Sequence, residues 1–328
     1  MTAVSDNETI DPLEMEKLGQ RVGCDHLEKR LAFEKRQNQK AFWTHGKLFH
    51  LENSFVAQKM MALFFRALAL HERGARNASS LVIRENEFFL PDLPNAFDGF
   101  RILHLSDLHV DMVPSGVEIL TNRLQEIDYD ICVMTGDYRG KTYGPIDHTI
   151  SLISHIKENL HGQVFAVLGN HDSIGMVPFM ERMDIDVLLN ESVLFKKEGQ
   201  TLFIGGIDDA HYFQAHDIEA SLKGCPSGIP KILLSHTPEV YRQAAQLGYD
   251  VFLCGHTHGG QICLPGGIPL TLESRCPRHM GSGAWQHEGM SGYTNVGSGT
   301  SIINLRFNCP PEIAIHTLRK SGTVSGHQ

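Results

Sequence analysis

Five short runs of the chain carry side chains able to hold divalent cations. They are Ser106-Asp107-Leu108-His109, Gly136-Asp137-Tyr138-Arg139-Gly140, Gly169-Asn170-His171-Asp172, Ser235-His236-Thr237 and Gly255-His256-Thr257-His258. Asp107 and Asp137 supply carboxylates, Asn170 an amide oxygen, and His109, His236, His256 and His258 imidazoles. An oxygen and nitrogen set without cysteine suits Mn, Fe, Zn or Co. Paired hydrolytic ions sit ~3.5–4 Å apart and need a shared ligand, and Asp137 suits that place. Two divalent ions against two carboxylates and a hydroxide leave a charge of about +1, which attracts an anionic phosphate.

Each run follows a stretch that reads as a strand. Residues 101–105, 131–134, 163–168, 231–234 and 250–254 are short apolar runs of the kind buried in mid-sheet. In α/β sheets ligands gather beyond the carboxyl ends of such strands. Helical spacing appears at 116–126, 146–159, 174–183 and 238–247, the last opened by Thr237-Pro238 as N-cap and first turn. Leu81–Ile83 and Glu87–Leu90 read as a strand pair or one bent strand, and 192–208 and 293–318 as hairpin-like strands. The expected class is α/β: two packed mixed β-sheets flanked by helices, a four-layer α/β/β/α sandwich with an N-terminal helical extension.

The expected divisions are a mobile tail over 1–24, a basic amphipathic helical extension over 25–78, the metal-bearing domain over 79–320 and a tail over 321–328. Residues 26–76 hold ten Lys/Arg against four Glu, a local +6 that leaves −15 for the rest of a chain of net −9. Asp25 with Glu28 reads as an N-cap and its capping partner. Helical spacing runs from Leu27 to His71, interrupted at Gly46. Its apolar residues include Phe42, Trp43, Leu48, Phe49, Leu51, Phe55, Met60, Met61, Leu63, Phe64, Phe65, Leu68 and Leu70, with Lys59 and Arg66 among them. Aromatic residues beside basic ones suit a helix lying on a membrane surface. The same pattern suits packing on its own domain or on a second subunit, the last of which would make the chain an oligomer.

With 41% hydrophobic residues, 328 positions supply one large core, or one core and an appendage. The seven cysteines lack CxxC spacing and read as free thiols. Neither a secretion signal nor a run of roughly 18 apolar residues is evident. The expected location is the cytoplasm, with peripheral contact on the inner face of the membrane through 26–76. Nucleic acid is not expected as a partner, because the domain that bears the site is acidic.

In order and spacing, the five runs resemble the signature blocks of the calcineurin-like metallophosphoesterase superfamily, over residues ~81 to 319. The resemblance implies that Asp107, His109 and His258 hold one metal, that Asn170, His236 and His256 hold another, and that Asp137 bridges them. It implies two divalent ions, manganese first with Fe, Zn or Co as alternatives, and attack on phosphorus by hydroxide formed at the metals. His171 then assists the departing alkoxide. Asp172 orients His171 or caps the helix after it, and Arg139 touches the substrate phosphate or makes a surface ion pair. His104 reads as a core histidine, and His211 as a residue of the site rim.

Phe88–Phe100, Gly292–Ser301, Leu305-Arg306 and Cys309–Ile313 resemble the opening and closing segments of a bacterial branch whose members are often membrane-associated phosphodiesterases. The stretch 265–292, with Arg275, Arg278, His279, Trp285 and His287, reads as a substrate-facing loop or a surface excursion. The implied activity is that of a phosphodiesterase or pyrophosphatase-type hydrolase acting on a lipid-linked or otherwise amphiphilic phosphoester. The alternatives are a soluble nucleotide phosphodiesterase or phosphomonoesterase, and a non-catalytic metal-binding scaffold.

Overall fold

Apolar runs that alternate between two cores build the sheets. In the computed structural model, which describes residues 11–43 and 55–321, the first core runs between two sheets and the others lie beneath the outer helices. Readings placed on Gly46, Leu48, Phe49 and Leu51, on the side chains of Phe42, Trp43 and Phe55, on residues 1–10 and on the tail from 322 lie outside the described residues.

Helix α1 (Pro12–Val22) begins with Asp11, whose side chain accepts from the Leu13 N–H at 2.9 Å, and with Pro at its first position. It buries Leu18, and Arg21 pairs with Glu181 and Glu191. The expectation of a mobile tail over 1–24 is therefore corrected for these residues. Gly23, at φ 95°, turns the chain into α2 (Cys24–Trp43). Asp25 lies inside the first turn of α2 and is not its N-cap. Leu27, Arg30 and Glu34, three and four residues apart, share one face, and that face meets the chain's own domain.

Helices α3 (Phe55–Ala67) and α4 (His71–Ala78) rest on a small cluster of Ile303, Leu305 and Phe307 through Met61, Phe65, Leu70 and Ala75. Phe65 stacks on Phe307 with ring centroids 5.4 Å apart. The opposite side of α3 exposes Met60, Leu63 and Phe64, and Leu68, in the turn just after it, is exposed as well.

Strands β1 (Val82–Leu90), β2 (Arg101–Leu105), β3 (Ile131–Met134), β4 (Gln163–Ala166) and β5 (Ile185–Val187) belong to the first sheet. The second contains β6 (Glu191–Lys197), β7 (Gln200–Gly206), β8 (Lys231–Leu234) and β9 (Val251–Cys254). A two-stranded hairpin of β10 (Cys263–Leu264) and β11 (Ile268–Pro269) follows, then β12 (Gly283–His287), β13 (Met290–Thr294) and β14 (Glu312–Lys320). The sheet orders are β1-β14-β2-β3-β4-β5 and β12-β13-β9-β8-β7-β6. Both are mixed: β2 to β5 run parallel while β14 opposes β2, and β7, β8, β9 and β13 run parallel while β6 opposes β7.

Alternation along the strands fills all layers. Ile102, Val133, Phe165, Ile232 and Leu253 meet between the sheets. Leu103, Cys132 and Val164 face outward onto α5 (Pro114–Leu124), α6 (Asp147–Lys157) and α7 (Val177–Arg182). Leu233 and Phe252 face outward beside α8 (Ile218–Ser221) and α9 (Tyr241–Gln246). Because both faces of these strands are covered, their sequences read as unbroken apolar runs. The expected four-layer α/β sandwich is present.

Two local readings change. Residues 293–318 form no hairpin, because β13 pairs with β9 and β12 whereas β14 crosses to the first sheet. Within 265–292 the part from Gly283 onward is largely sheet, in β12 and the start of β13, and Trp285 on β12 is buried, donating through Nε1 to Thr294 Oγ1. Among the described residues no helix is long and apolar enough to cross a membrane.

Candidate metal centre

The loops that follow β2, β3, β4, β8 and β9 converge, and they carry all seven candidate ligands. Five of the seven, Asp107, His109, Asp137, His256 and His258, have φ between 40° and 72°. Non-glycine residues adopt that region at a cost, and here the strain turns side chains inward at the strand ends. Glycines let the loops interlock: a Cβ on Gly169 would lie 2.2 Å from Asp137 Oδ1.

Asp107, His109 and His258 form one cluster whose potential ligand atoms lie within 4.8 Å of one another, and Asp137, His236 and His256 form another. In the first, His109 Nε2 lies 3.1 Å from His258 Nε2, which is 3.4 Å from Asp107 Oδ1. In the second, His236 Nε2 lies 2.9 Å from Asn170 Oδ1 and 3.2 Å from His256 Nδ1. Asp137 Oδ2 sits between them, 3.3 Å from His236 Nε2 and 3.8 Å from His109 Nε2.

The surroundings decide which ring atoms face inward. His109 Nδ1 and His236 Nδ1 lie 2.8 and 2.7 Å from the carbonyls of Arg139 and Thr135. A donated Nδ1–H there leaves each Nε2 lone pair for the centre, the arrangement that metal-binding histidines use. Asp107 Oδ2 accepts from Ser106 Oγ and the His256 N–H, while its Oδ1 is buried with no hydrogen-bond partner. Converging lone pairs and an orphaned buried carboxylate oxygen are costly without a cation. The residues present therefore fit a metal.

Electrostatics point the same way. Burial pushes the Asp137 carboxyl up, but His236, His171 and His109 outweigh it and hold it well below its ordinary range. Burial opposes protonation of His236, yet Asp137 overrides it and lifts the imidazole to about 10. Burial, aided by neighbouring imidazoles, holds His256 and His258 well below their usual value. A proton on His236 thus takes the place of cationic charge that the carboxylates require.

A family model for the calcineurin-like phosphoesterase matches residues 100–260, the stretch that supplies all seven residues. The chain carries a calcineurin-like metallophosphoesterase domain. Metallophosphoesterase YkoQ of Bacillus subtilis is 28% identical over 228 residues, covering 66% of this chain and 83% of that protein. Phosphodiesterase YaeI of Escherichia coli is 28% identical over 236 residues, covering 66% of this chain and 81% of that protein. A Danio rerio protein described as a transmembrane protein with a metallophosphoesterase domain is 26% identical over 283 residues, covering 80% of this chain and 63% of its own length. The domain is that of a metal-dependent phosphoester hydrolase.

Within the metallophosphoesterase domain, His171 joins the centre with Nδ1 2.7 Å from the Gly140 carbonyl and Nε2 3.8 Å from Asp137 Oδ2. Asp172 neither touches the His171 ring nor caps the following turn, where Ser173 accepts from the Gly175 N–H. Its carboxylate accepts instead from the N–H groups of Asp137, Tyr138 and Gly169, at 2.7–2.9 Å. Burial, then the nearby Asp137 charge, lifts it to about 6. Arg139 is buried and donates to the carbonyls of His171 and Gly144, so its guanidinium is committed to the loops and makes no surface ion pair. Partners of this kind are backbone atoms, which residue types do not reveal.

His211 packs against His256 at 4.4 Å between ring centroids and bonds Glu239 through Nδ1, which raises its pKa. His104 is a core histidine, bonded to His316 and Thr135. Sequence reasoning missed three supporting groups. Arg306 is fully buried and ties the Val296 and Gly299 carbonyls beside His258. Asp209 collects the N–H groups of His211, Tyr212 and Phe213. Arg30 and Glu34 reach in from α2. Of these, Arg306 is marked in sequence only as part of a closing segment, and the pairing of Asp208 with Asp209 after a strand is the other signal.

Proposed function

We propose that the chain is a dinuclear phosphodiesterase or pyrophosphatase-type hydrolase acting on an amphiphilic, lipid-linked phosphoester, with manganese the first choice of ion. The observation that carries the dinuclear reading is the position of Asp137 Oδ2 between the two ligand clusters. Asp107, His109 and His258 would hold one ion and Asn170, His236 and His256 the other, with Asp137 shared. When bound, such ions supply Lewis-acid polarisation of phosphoryl oxygens and a nucleophile at neutral pH.

The chain's own groups do the rest. The Asp172 carboxylate fixes the backbone of Asp137, and the Thr135 and Arg139 carbonyls hold His236 and His109 in one tautomer. His171, steadied by the Gly140 carbonyl, carries on Nε2 the proton passed to the departing oxygen. Arg139 steadies His171 through its carbonyl.

An amphiphilic substrate is supported by the apolar outer side of α3 and by the β10–β11 segment, which exposes Leu264, Ile268 and Leu270. The inner face of α3 and the residue before β10 both meet Phe307, so the two segments are neighbours, and the +6 charge of 26–76 suits an anionic bilayer. The test is cleavage of a chromogenic phosphodiester by the full chain with Mn, Fe, Co or Zn, followed by a panel of lipid-linked and nucleotide phosphoesters. Absence of turnover with every ion despite bound metal would overturn the hydrolase reading. Preference for soluble nucleotides would overturn the lipid one.

A further inference from the structure

The structure assigns α2 a working place in the metal centre: Arg30 and Glu34 are positioning residues for the loop that carries Asn170 and His171. This rests on the hydrolytic reading of the centre, and it concerns residues that lie outside the matched stretch 100–260.

Arg30 is the first clue, because its guanidinium is fully buried. A buried cation is tolerated only when its surroundings meet its charge and its donors. Here Nε donates to Asp208 Oδ2 at 3.1 Å, Nη2 donates to the Asp172 carbonyl at 3.2 Å, and the group lies 3.2 Å from the centroid of the Phe213 ring. Nη1 lies 3.3 Å from Glu34 Oε1, an ion-pair contact without hydrogen-bond geometry. One turn along, Glu34 accepts from Ser173 Oγ at 2.6 Å and from the Ile174 N–H at 2.9 Å. Phe33 meets the rings of Tyr212 and Phe213 edge-on.

One helix thus grips two loops that line the centre. The first grip is connected directly to the bridging residue. Asp172 gives its carbonyl to Arg30, and its carboxylate accepts from the Asp137, Tyr138 and Gly169 N–H groups. Glu34 pins the two residues immediately after Asp172. Any slack in α2 therefore reaches the backbone of Asp137 and the Asn170–His171 segment through a single residue. Groups bonded directly to metal ligands are commonly worth 10–100-fold in metal affinity or activity; Arg30 and Glu34 act one step further out, through Asp172, and hydrolytic geometry tolerates little displacement.

The test uses the full chain with Glu34→Ala, Arg30→Lys, Arg30→Met and the double variant Arg30→Met/Asp208→Asn, which removes the buried charge that Arg30→Met strands. Melting temperature, Mn²⁺ stoichiometry and affinity, and kcat and KM on a chromogenic diester are read for each. Glu34→Ala is expected to melt ~5 °C below wild type while staying folded at 25 °C, to bind one of its Mn²⁺ ions roughly tenfold more weakly, and to lose about tenfold in kcat with KM changed less than about twofold. Arg30→Lys keeps a cation for Asp208 but not the fork, and loses kcat in the same way. The double variant regains the melting temperature lost by Arg30→Met without regaining kcat. Wild-type kcat and Mn²⁺ affinity in Glu34→Ala, or in a double variant with restored melting, would overturn the assignment. Should the double variant not fold, Glu34→Ala decides alone. Failure of the wild-type chain to turn over would defeat the hydrolytic reading, whereas the affinity and melting data would still judge the role of α2.

Discussion

Replacing Asp137 by Asn removes the carboxylate oxygen that stands within 3.3–3.8 Å of imidazole nitrogens from both ligand clusters. A ligand present at ~1,000 times its Kd stabilises the folded state by about 4.1 kcal/mol per site. Unfolding entropy of about 2.1 cal/mol/K per residue, taken over the chain, makes each 4.1 kcal/mol worth ~6 °C in melting temperature. Saturating Mn²⁺ should therefore raise the wild-type melting temperature by ~12 °C if two ions bind. Asp137→Asn should lose most of that shift. Asp107→Asn and Asn170→Ala, each confined to one cluster, should each lose about half. Thermal unfolding with and without Mn²⁺, at about pH 7.5, measures the shifts, and metal analysis counts the ions. Because Asp137, aided by Asp107 and Asp209, holds a proton on His236 up to about 10 against its burial, loading should also release a proton, and Asp137→Asn should reduce that release. An Asp137→Asn chain with the full shift would refute the shared-ligand argument. Loss of the whole shift in Asp107→Asn alone would refute the division into two sites.

Gly169→Ala places a Cβ 2.2 Å from Asp137 Oδ1 and 2.5 Å from Asp137 N, so kcat should fall ~100-fold, checked by diester hydrolysis at saturating Mn²⁺. His171→Asn should keep both ions and lose kcat by ~10²–10⁴, more for an alkyl diester than for a nitrophenyl one, since only the poor leaving group needs the proton. His104 and His316 are buried neutral, with His104 held at about 3, so the unfolded chain takes up protons first as pH falls. Their stabilisation is complete above ~6.5 and is lost below it at about 1.4 kcal/mol per pH unit each, and denaturant melts of His104→Leu/His316→Leu should show a flatter acid limb than wild type. Substituting Met60, Leu63, Phe64 and Leu68 by Ser should weaken co-sedimentation with anionic vesicles at least tenfold while sparing hydrolysis of a soluble diester; equal binding would remove the bilayer from the proposal. Substitutions serve here better than removal of residues before Ser79, which would delete Arg30 and Glu34 as well.

The strands and ligand loops were legible because a strand covered on both faces has an unbroken apolar sequence, and because ligand chemistry restricts residue type. Ile131–Met134 followed by Asp137 shows both signals together. The packing of α2 was not legible, since its buried face includes Arg30 and Glu34, which in sequence look like a solvated surface. The supporting contacts of Asp172 and Arg139 were not legible for a related reason: their partners are N–H groups and carbonyls. Sequence marks β14 as a strand, but its place between β1 and β2 depends on a chain reversal that no local pattern encodes.

That placement sets an order of events during synthesis. Among the described residues β1 has no strand neighbour except β14, and β2, which leads into Asp107 and His109, has β14 along one side. His258 is the last candidate ligand to be translated, yet Glu312–Lys320 must still emerge before the sheet beneath the first ligand loop closes. Until then a nascent chain presents an open strand edge and pairs only with contacts distant in sequence, which form slowly. Strand β14 is thus a timing element: a ribosome-bound chain already containing every candidate ligand remains short of the framework that holds them in register.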